Sequence, residues 1–250
     1  MESFLRLYCQ VTSCEAEGLI FEAPASSLLD RKATVQLLEE TKALYDATGM
    51  ELPASLIGLA LFGPIAAMMI ETAERGFSRN LSLPSLKIQL GMQNGTHPYL
   101  QLKTATCPAF IHKGGFSAEF LVENLTEPIE NVASCAGVSP KLIWNQFGAR
   151  ILTIMDAAKE RRLKIGSTLD SLISNLQQLP PGTFHLRKNP FVHSPVYIDN
   201  PYNPGTKTMI RSSCCMFFKR KNGAKCYNCP ALSDAKREEM AKGILTQASE

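Results

Sequence analysis

Apolar positions recur every three or four residues between residues 34 and 48, where Leu37, Leu38, Thr41, Leu44 and Tyr45 share one helical face, and the spacing predicts an amphipathic helix. From Ala54 to Ile70 that period is lost in a run of 17 residues without a charge, closed by Glu71 and Glu74. Gly58, Gly63 and Pro64 interrupt the run, which predicts two short helices, apolar nearly all round because they are buried on several sides, with Pro64 kinking or splitting them. Its length reaches only the lower edge of what spans a bilayer, so at most a peripheral membrane contact is expected. The period then becomes two: Leu86, Ile88, Leu90 and Met92 alternate with Lys87, Gln89 and Gly91, and Leu100 and Leu102 alternate again beyond Asn94-Gly95. This is a β-hairpin pattern with a loop longer than two residues.

Helical spacing resumes at Ser117, with Pro128 dividing the stretch into two short helices. Ser139-Pro140 supplies a cap and first-turn proline for a longer helix bearing Ile143, Phe147, Ile151, Ile154, Met155 and Ala158 on one side. Ser167 with Asp170 resembles a capping box ahead of Leu169, Leu172, Ile173, Leu176 and Leu179, and Pro180-Pro181-Gly182 ends that helix. Past Gly182 the chain turns rich in proline, asparagine and aromatics, which predicts irregular loop with one or two short strands, and a closing helix is expected from Ser233 with Asp234 in its first turn. The fold class is α+β: mainly helical with a small antiparallel sheet, followed by an irregular C-terminal segment. The expected division is residues 1–205 and 206–250.

Composition changes this picture little, since 250 residues at 45% hydrophobic and 20% charged suit an ordinary core that folds without staples. Charge changes it more. Residues 181–230 hold eight lysines and arginines against Asp199 alone, a local +7 in a chain of net +3, so an anionic partner is expected there. MESFLRLYCQ shows no export signal, which makes the reducing cytoplasm the expected compartment. Of the eight cysteines, Cys9, Cys14, Cys107 and Cys135 are scattered among apolar neighbours and read as buried small hydrophobes.

The other four cluster as Cys214-Cys215, ten residues, then Cys226-x-x-Cys229. Disulfide, zinc and iron–sulfur chemistry all accept four thiols. Zinc prefers two Cys-x-x-Cys knuckles, and adjacent Cys214 and Cys215 are awkward ligands for one small ion. A binuclear 2Fe–2S rhomb presents its four ligand positions over a larger object and relaxes that demand. Basic surroundings suit an anionic cluster and raise its potential.

The tail motif, preceded by Arg211-Ser212-Ser213 and followed by Pro230, closely resembles the cluster-binding tail of the FhuF-type ferric-siderophore reductases. Upstream, KLIWNQFGARIL with Trp144 and Asn145, and HLRKNPF, resemble that family's helix and its approach to the tail. The first 130 residues match only in length and helical character. Asn145 stands directly after Trp144 rather than two places on, and Met216-Phe217-Phe218 replaces a more basic run. The resemblance implies a 2Fe–2S cluster ligated by Cys214, Cys215, Cys226 and Cys229, with Cys226 and Cys229 on one iron as the first expectation. It further implies one-electron reduction of siderophore-bound Fe(III), release of Fe(II), and a separate electron donor, since the chain has no nucleotide fingerprint. The family's amino-terminal region also resembles part of the IucA/IucC-type siderophore synthetases, which would give ligand binding without redox turnover. A zinc-stabilised binding module is the alternative, although the basic-aromatic interleaving of nucleic-acid modules is missing and no nucleic-acid partner is expected. Candidate substrate contacts are Arg187, Arg211, Lys219, Arg220 and His112; His97, His185 and His193 lack ligand spacing, and Trp144 reads as a core anchor.

Overall fold

α3 (Glu51–Arg75) is the axis of the fold, and nearly every residue from Leu52 to Thr72 is buried. In this computed structural model, which describes residues 1–104, 110–112 (backbone alone), 116–161, 163 and 166–247, the expected break at Pro64 is absent and one helix of 25 residues runs through it. Proline removes one helical hydrogen bond, a local cost of about 3 kcal/mol, and burial of both flanking halves on all sides offsets it. The helix is long and apolar enough to cross a membrane, yet most of that stretch is covered by the rest of the protein.

The layers around α3 follow the patterns of the sequence. α1 (Glu2–Phe4) runs into a π-helical turn, Leu5–Cys9, then β1 (Val11–Thr12) and β2 (Leu19–Pro24). α2 (Arg31–Leu44) is capped by Asp30, whose carboxylate accepts from Ala33 N at 2.8 Å, and buries Thr34, Leu37, Leu38 and Thr41. β3 (Ser78–Arg79) follows α3. β4 (Leu86–Gln93) and β5 (His97–Thr104) form the expected hairpin, with Ile88 opposite Leu102 and Leu90 opposite Leu100. The main sheet has the order β1-β5-β4-β2, antiparallel except that β1 runs parallel to β5. β6 (Phe110–His112) pairs with β3 in a two-stranded ribbon.

The second half is helical. α4 (Ala118–Leu121) passes through a π-helical turn at Val122–Thr126 into α5 (Glu127–Ala136), so Pro128 does not separate two helices but follows directly on the wider turn. The helix expected after Pro140 is instead two, α6 (Lys141–Trp144) and α7 (Phe147–Glu160), broken at Asn145-Gln146. The break has a polar cause: Gln146 turns inward and its Nε2 donates to Ser55 Oγ of α3 at 3.0 Å. α8 (Gly166–Gln178) buries Leu169, Leu172, Ile173 and Leu176; it starts at Gly166, so Ser167 lies inside it rather than at a cap. A small hairpin, β7 (Tyr197–Asp199) with β8 (Lys207–Met209), precedes the tail, and α9 (Asp234–Gln247) closes it.

Aromatic packing anchors α6 and α7 on α3. Trp144 is fully buried, edge-on to Phe147 and Phe184 at 5.2 and 5.3 Å, and Phe62 stacks on Phe147 at 5.0 Å. Gly63 permits the closest approach: a Cβ there would lie 1.9 Å from the carbonyl oxygen of Cys9, a backbone atom with little freedom to yield. Gly63→Ala is therefore expected to destabilise the protein by about 1–3 kcal/mol, read as a thermal midpoint lowered by roughly 3–10 °C. An unchanged midpoint would refute this close contact.

Candidate metal centre

The tail reaches its site by hanging its middle on the core. Between Cys215 and Cys226 the chain makes a short 3-10 turn at Phe217–Lys219 and then pairs with the loop between α2 and α3. Thr48 N donates to Lys219 O at 2.8 Å, Lys221 N donates to Asp46 O at 2.8 Å, and Ala47 and Arg220 form an antiparallel bridge. The return needs Gly223, since a Cβ there would meet Phe218 O at 2.7 Å. This folded link brings the two pairs of cysteines together.

Each half of the site is held separately. Ser55 Oγ donates to Cys215 O at 2.9 Å and accepts from Gln146, so a buried polar chain runs from α7 through α3 to the first pair. Ser212 Oγ accepts from Ala149 N at 3.1 Å. In the second pair, Cys229 N donates to Cys226 O at 3.0 Å, closing a turn. The only buried residue of α9, Arg237, grips that turn: it donates to Tyr227 O, to Cys229 O at 3.2 Å and to Leu232 O at 3.1 Å. Arg211 N donates to Asn228 O at 3.1 Å and joins the two halves.

Cys214, Cys215, Cys226 and Cys229 line one cavity of about 270 Å³, walled by Leu56 and Leu59 of α3 and by Phe217 and Phe218 of the link. Cys214 and Cys229 are the pair in contact, Sγ to Sγ 3.5 Å. The contact is a hydrogen bond between two thiols. Among the described residues, no three histidine, cysteine, aspartate or glutamate side chains converge as a single-ion site. The four sulfurs share the lining of one cavity, and four thiols in a space of that size can hold a binuclear iron–sulfur group.

Burial and one nearby cation act on the sulfurs in opposite directions. Burial pushes the Cys214 thiol up to about 11, helped by neighbouring Cys229 and opposed by the backbone amide of Met216. Burial also raises Cys226, while Arg211 works against the shift. Cys214 and Cys226 therefore hold their protons at neutral pH, and loading a metal must expel them. Arg211 Nη1 donates to Cys215 Sγ at 2.9 Å, which places a guanidinium on the sulfur shell. Lys225 also lines the cavity, with its Nζ over the Phe218 ring at 5.5 Å and bonded to Ala231 O at 2.7 Å.

Of the sequence candidates for substrate contact whose side chains are among the described residues, Arg211 alone lines this cavity. Lys219 points to Glu51 at 3.4 Å, and Arg220 covers the Phe217 ring at 4.3 Å. Arg187 is exposed in the loop before β7. His112 ends β6 opposite Ser78, and its side chain lies outside the described residues, as does Cys107. The scattered cysteines divide: Cys9 is buried, with its thiol pushed up to about 12 by burial, Cys135 is half-buried, and Cys14 is exposed, contrary to expectation. Cys14 sits just past β1, where the chain leaves the sheet. Sequence reasoning passed over Arg237, Ser55 and Lys225; none belongs to a motif, and Arg237 lies on an otherwise polar helix.

A centre held wholly by tail cysteines, spread around one cavity and touched by an arginine, defines a thiolate-ligated iron–sulfur protein. The family model described as the FhuF 2Fe-2S C-terminal domain matches residues 211–230, and the four cysteines fit its motif. The chain carries that domain, and its cofactor is a 2Fe–2S cluster. No curated protein and no solved structure matches the chain.

Proposed function

We propose that the protein is a ferric-siderophore reductase of the cytoplasm, taking electrons from an external one-electron donor and releasing Fe(II) from a siderophore. The observation that carries this reading is the match of residues 211–230 to the FhuF 2Fe-2S C-terminal domain, on four thiols that surround a single cavity. The bound cluster supplies one electron per iron. Fe(III) is held tightly by hard oxygen donors and Fe(II) far less well, so reduction is release.

The chain's own residues set the conditions. Cys214, Cys215, Cys226 and Cys229 are the proposed ligands, and Leu56, Leu59, Phe217 and Phe218 limit water around them. Arg211, at the Cys215 sulfur, attracts an anionic chelate and stabilises the reduced state. These two effects are opposed, because a higher potential weakens the reductant. Arg211→Gln is expected to lower the midpoint potential by roughly 50–100 mV, taking a unit charge near the gained electron at an effective dielectric of about 20 with partial screening. A redox titration followed by electron paramagnetic resonance measures it, and an unchanged potential would remove Arg211 from this role.

The reading itself is tested by mixing anaerobic, dithionite-reduced protein with a panel of ferric siderophores. Reoxidation of the cluster, with one Fe(II) trapped by a ferrous-specific chelator per electron, is the expected result. Colourless protein containing stoichiometric zinc, or a coloured protein that reduces none of the panel, would overturn it.

A further inference from the structure

Beside the cluster cavity, and sharing Leu59 and Arg211 with it, lies a second cavity of about 210 Å³ between α7 and the tail. Arg150 and Thr153 of α7 face Arg211, Ser213 and Asn228 of the tail across it. Its lining contains two guanidiniums and no carboxylate.

Arg150 is half-buried, and among the described residues its hydrogen bond, from Nη2 to Tyr8 O, meets a neutral carbonyl. Burial lowers its pKa, the charge of Arg211 lowers it further, and nearby Cys9 opposes both. Cys9 is itself held protonated by burial and offers Arg150 no counter-charge. Among the described residues no aspartate or glutamate pairs with either Arg150 or Arg211, although Arg79, Lys87, Lys103 and Lys207 each have one. An arginine stays charged in a protein, and a desolvated cation without a partner is costly. Arg211, exposed and donating to Cys215 Sγ, is a second cation at the same cavity; it leaves the cost at Arg150 in place, and an anion bound between the two offsets it.

We propose that Arg150 and Arg211 form a carboxylate-binding site that seats an anionic ferric chelate against the Cys215 edge of the cluster. This rests on the reductase reading and names its substrate class: chelates carrying a carboxylate arm, rather than neutral or cationic trihydroxamates. The planar fork of arginine matches a carboxylate in two parallel hydrogen bonds. The volume suits one arm of a chelate, with the iron-bearing remainder outside. Arg211 serves both cavities, so an arm held there puts the chelated iron beside the Cys215 sulfur.

Gallium(III) chelates test this without turnover, because gallium is not reduced. Calorimetric titration of the cluster-loaded protein with gallium citrate should show binding, with gallium desferrioxamine binding much more weakly and inorganic phosphate competing poorly. Arg150→Gln should weaken gallium citrate binding at least tenfold while Arg150→Lys retains part of it. Arg150 also holds the turn at Tyr8, so a second variant is needed: Thr153 is exposed at the rim, and Thr153→Glu, one turn from Arg150, should give it a carboxylate partner and exclude the anion to a similar degree while Arg150 itself stays in place. Each variant is first checked for an unchanged cluster spectrum.

Equal binding of the two gallium chelates would overturn the proposal. So would no binding of gallium citrate, a stronger hold on phosphate, or wild-type affinity in both Arg150→Gln and Thr153→Glu. If any of these occurs while ferric siderophores are still reduced, the reductase reading stands and this site falls. If arginine-dependent gallium citrate binding is found in a protein that reduces no ferric chelate, the site stands and the reductase reading falls.

Discussion

Cys229→Ser yields a protein without the visible absorbance and acid-labile sulfide of a 2Fe–2S cluster. Cys229 is 2% exposed, 3.5 Å from Cys214 Sγ, and its carbonyl is bonded to Arg237. Serine keeps the backbone turn and the shape of the site, so the loss is one of donor chemistry: a buried alkoxide is a far poorer soft ligand than a thiolate. Cys214→Ser should behave similarly, whereas Cys14→Ser and Cys135→Ser should load normally. Absorbance, sulfide and iron per protein chain after anaerobic reconstitution decide it. A full cluster in Cys229→Ser would remove that residue from the ligand set.

The second large effect falls on a residue that touches no sulfur. Arg237→Met removes donors to Tyr227 O, Cys229 O and Leu232 O and leaves two carbonyls of the knuckle and one just beyond it without them, beside a buried side chain. Each buried carbonyl left without a partner costs about 1–3 kcal/mol. The expected outcome is a cluster that bleaches at least tenfold faster at room temperature, together with a tail that is cut more readily by protease. Arg237→Lys should recover only part, since an ammonium cannot reach three carbonyls with a planar fork. A bleaching rate equal to wild type would show that the knuckle holds its shape unaided.

Elements governed by local pattern were legible in the sequence. The face of α2, the alternation of β4 and β5 and the spacing of Leu169 to Leu176 carry their periods whatever they pack against. Pro64 misled because its penalty is local while its compensation is not: the burial that keeps α3 whole comes from α5, α7, α8 and the sheet. The split between α6 and α7 was hidden for a like reason, since Gln146 turns inward to reach Ser55, 91 residues earlier. At the site, the four clustered thiols stood out, whereas the basic link did not announce which way it faces. Lys219 and Arg220 turn to Glu51 and Phe217, and the cations that face the sulfurs are Arg211 and Lys225. Arg150 was invisible as a ligand-binding residue because it sits on an amphipathic helix and shows its isolation only in three dimensions.

The pairing of Thr48 with Lys219 and of Asp46 with Lys221 ties the loop between the cysteine pairs to the rigid core rather than to solvent. Gain or loss of an electron at such a centre changes charge with little movement of the surrounding atoms. Dipoles already in place then meet that charge without first rearranging. A tethered sulfur cage of this kind favours rapid exchange with a partner that docks only briefly.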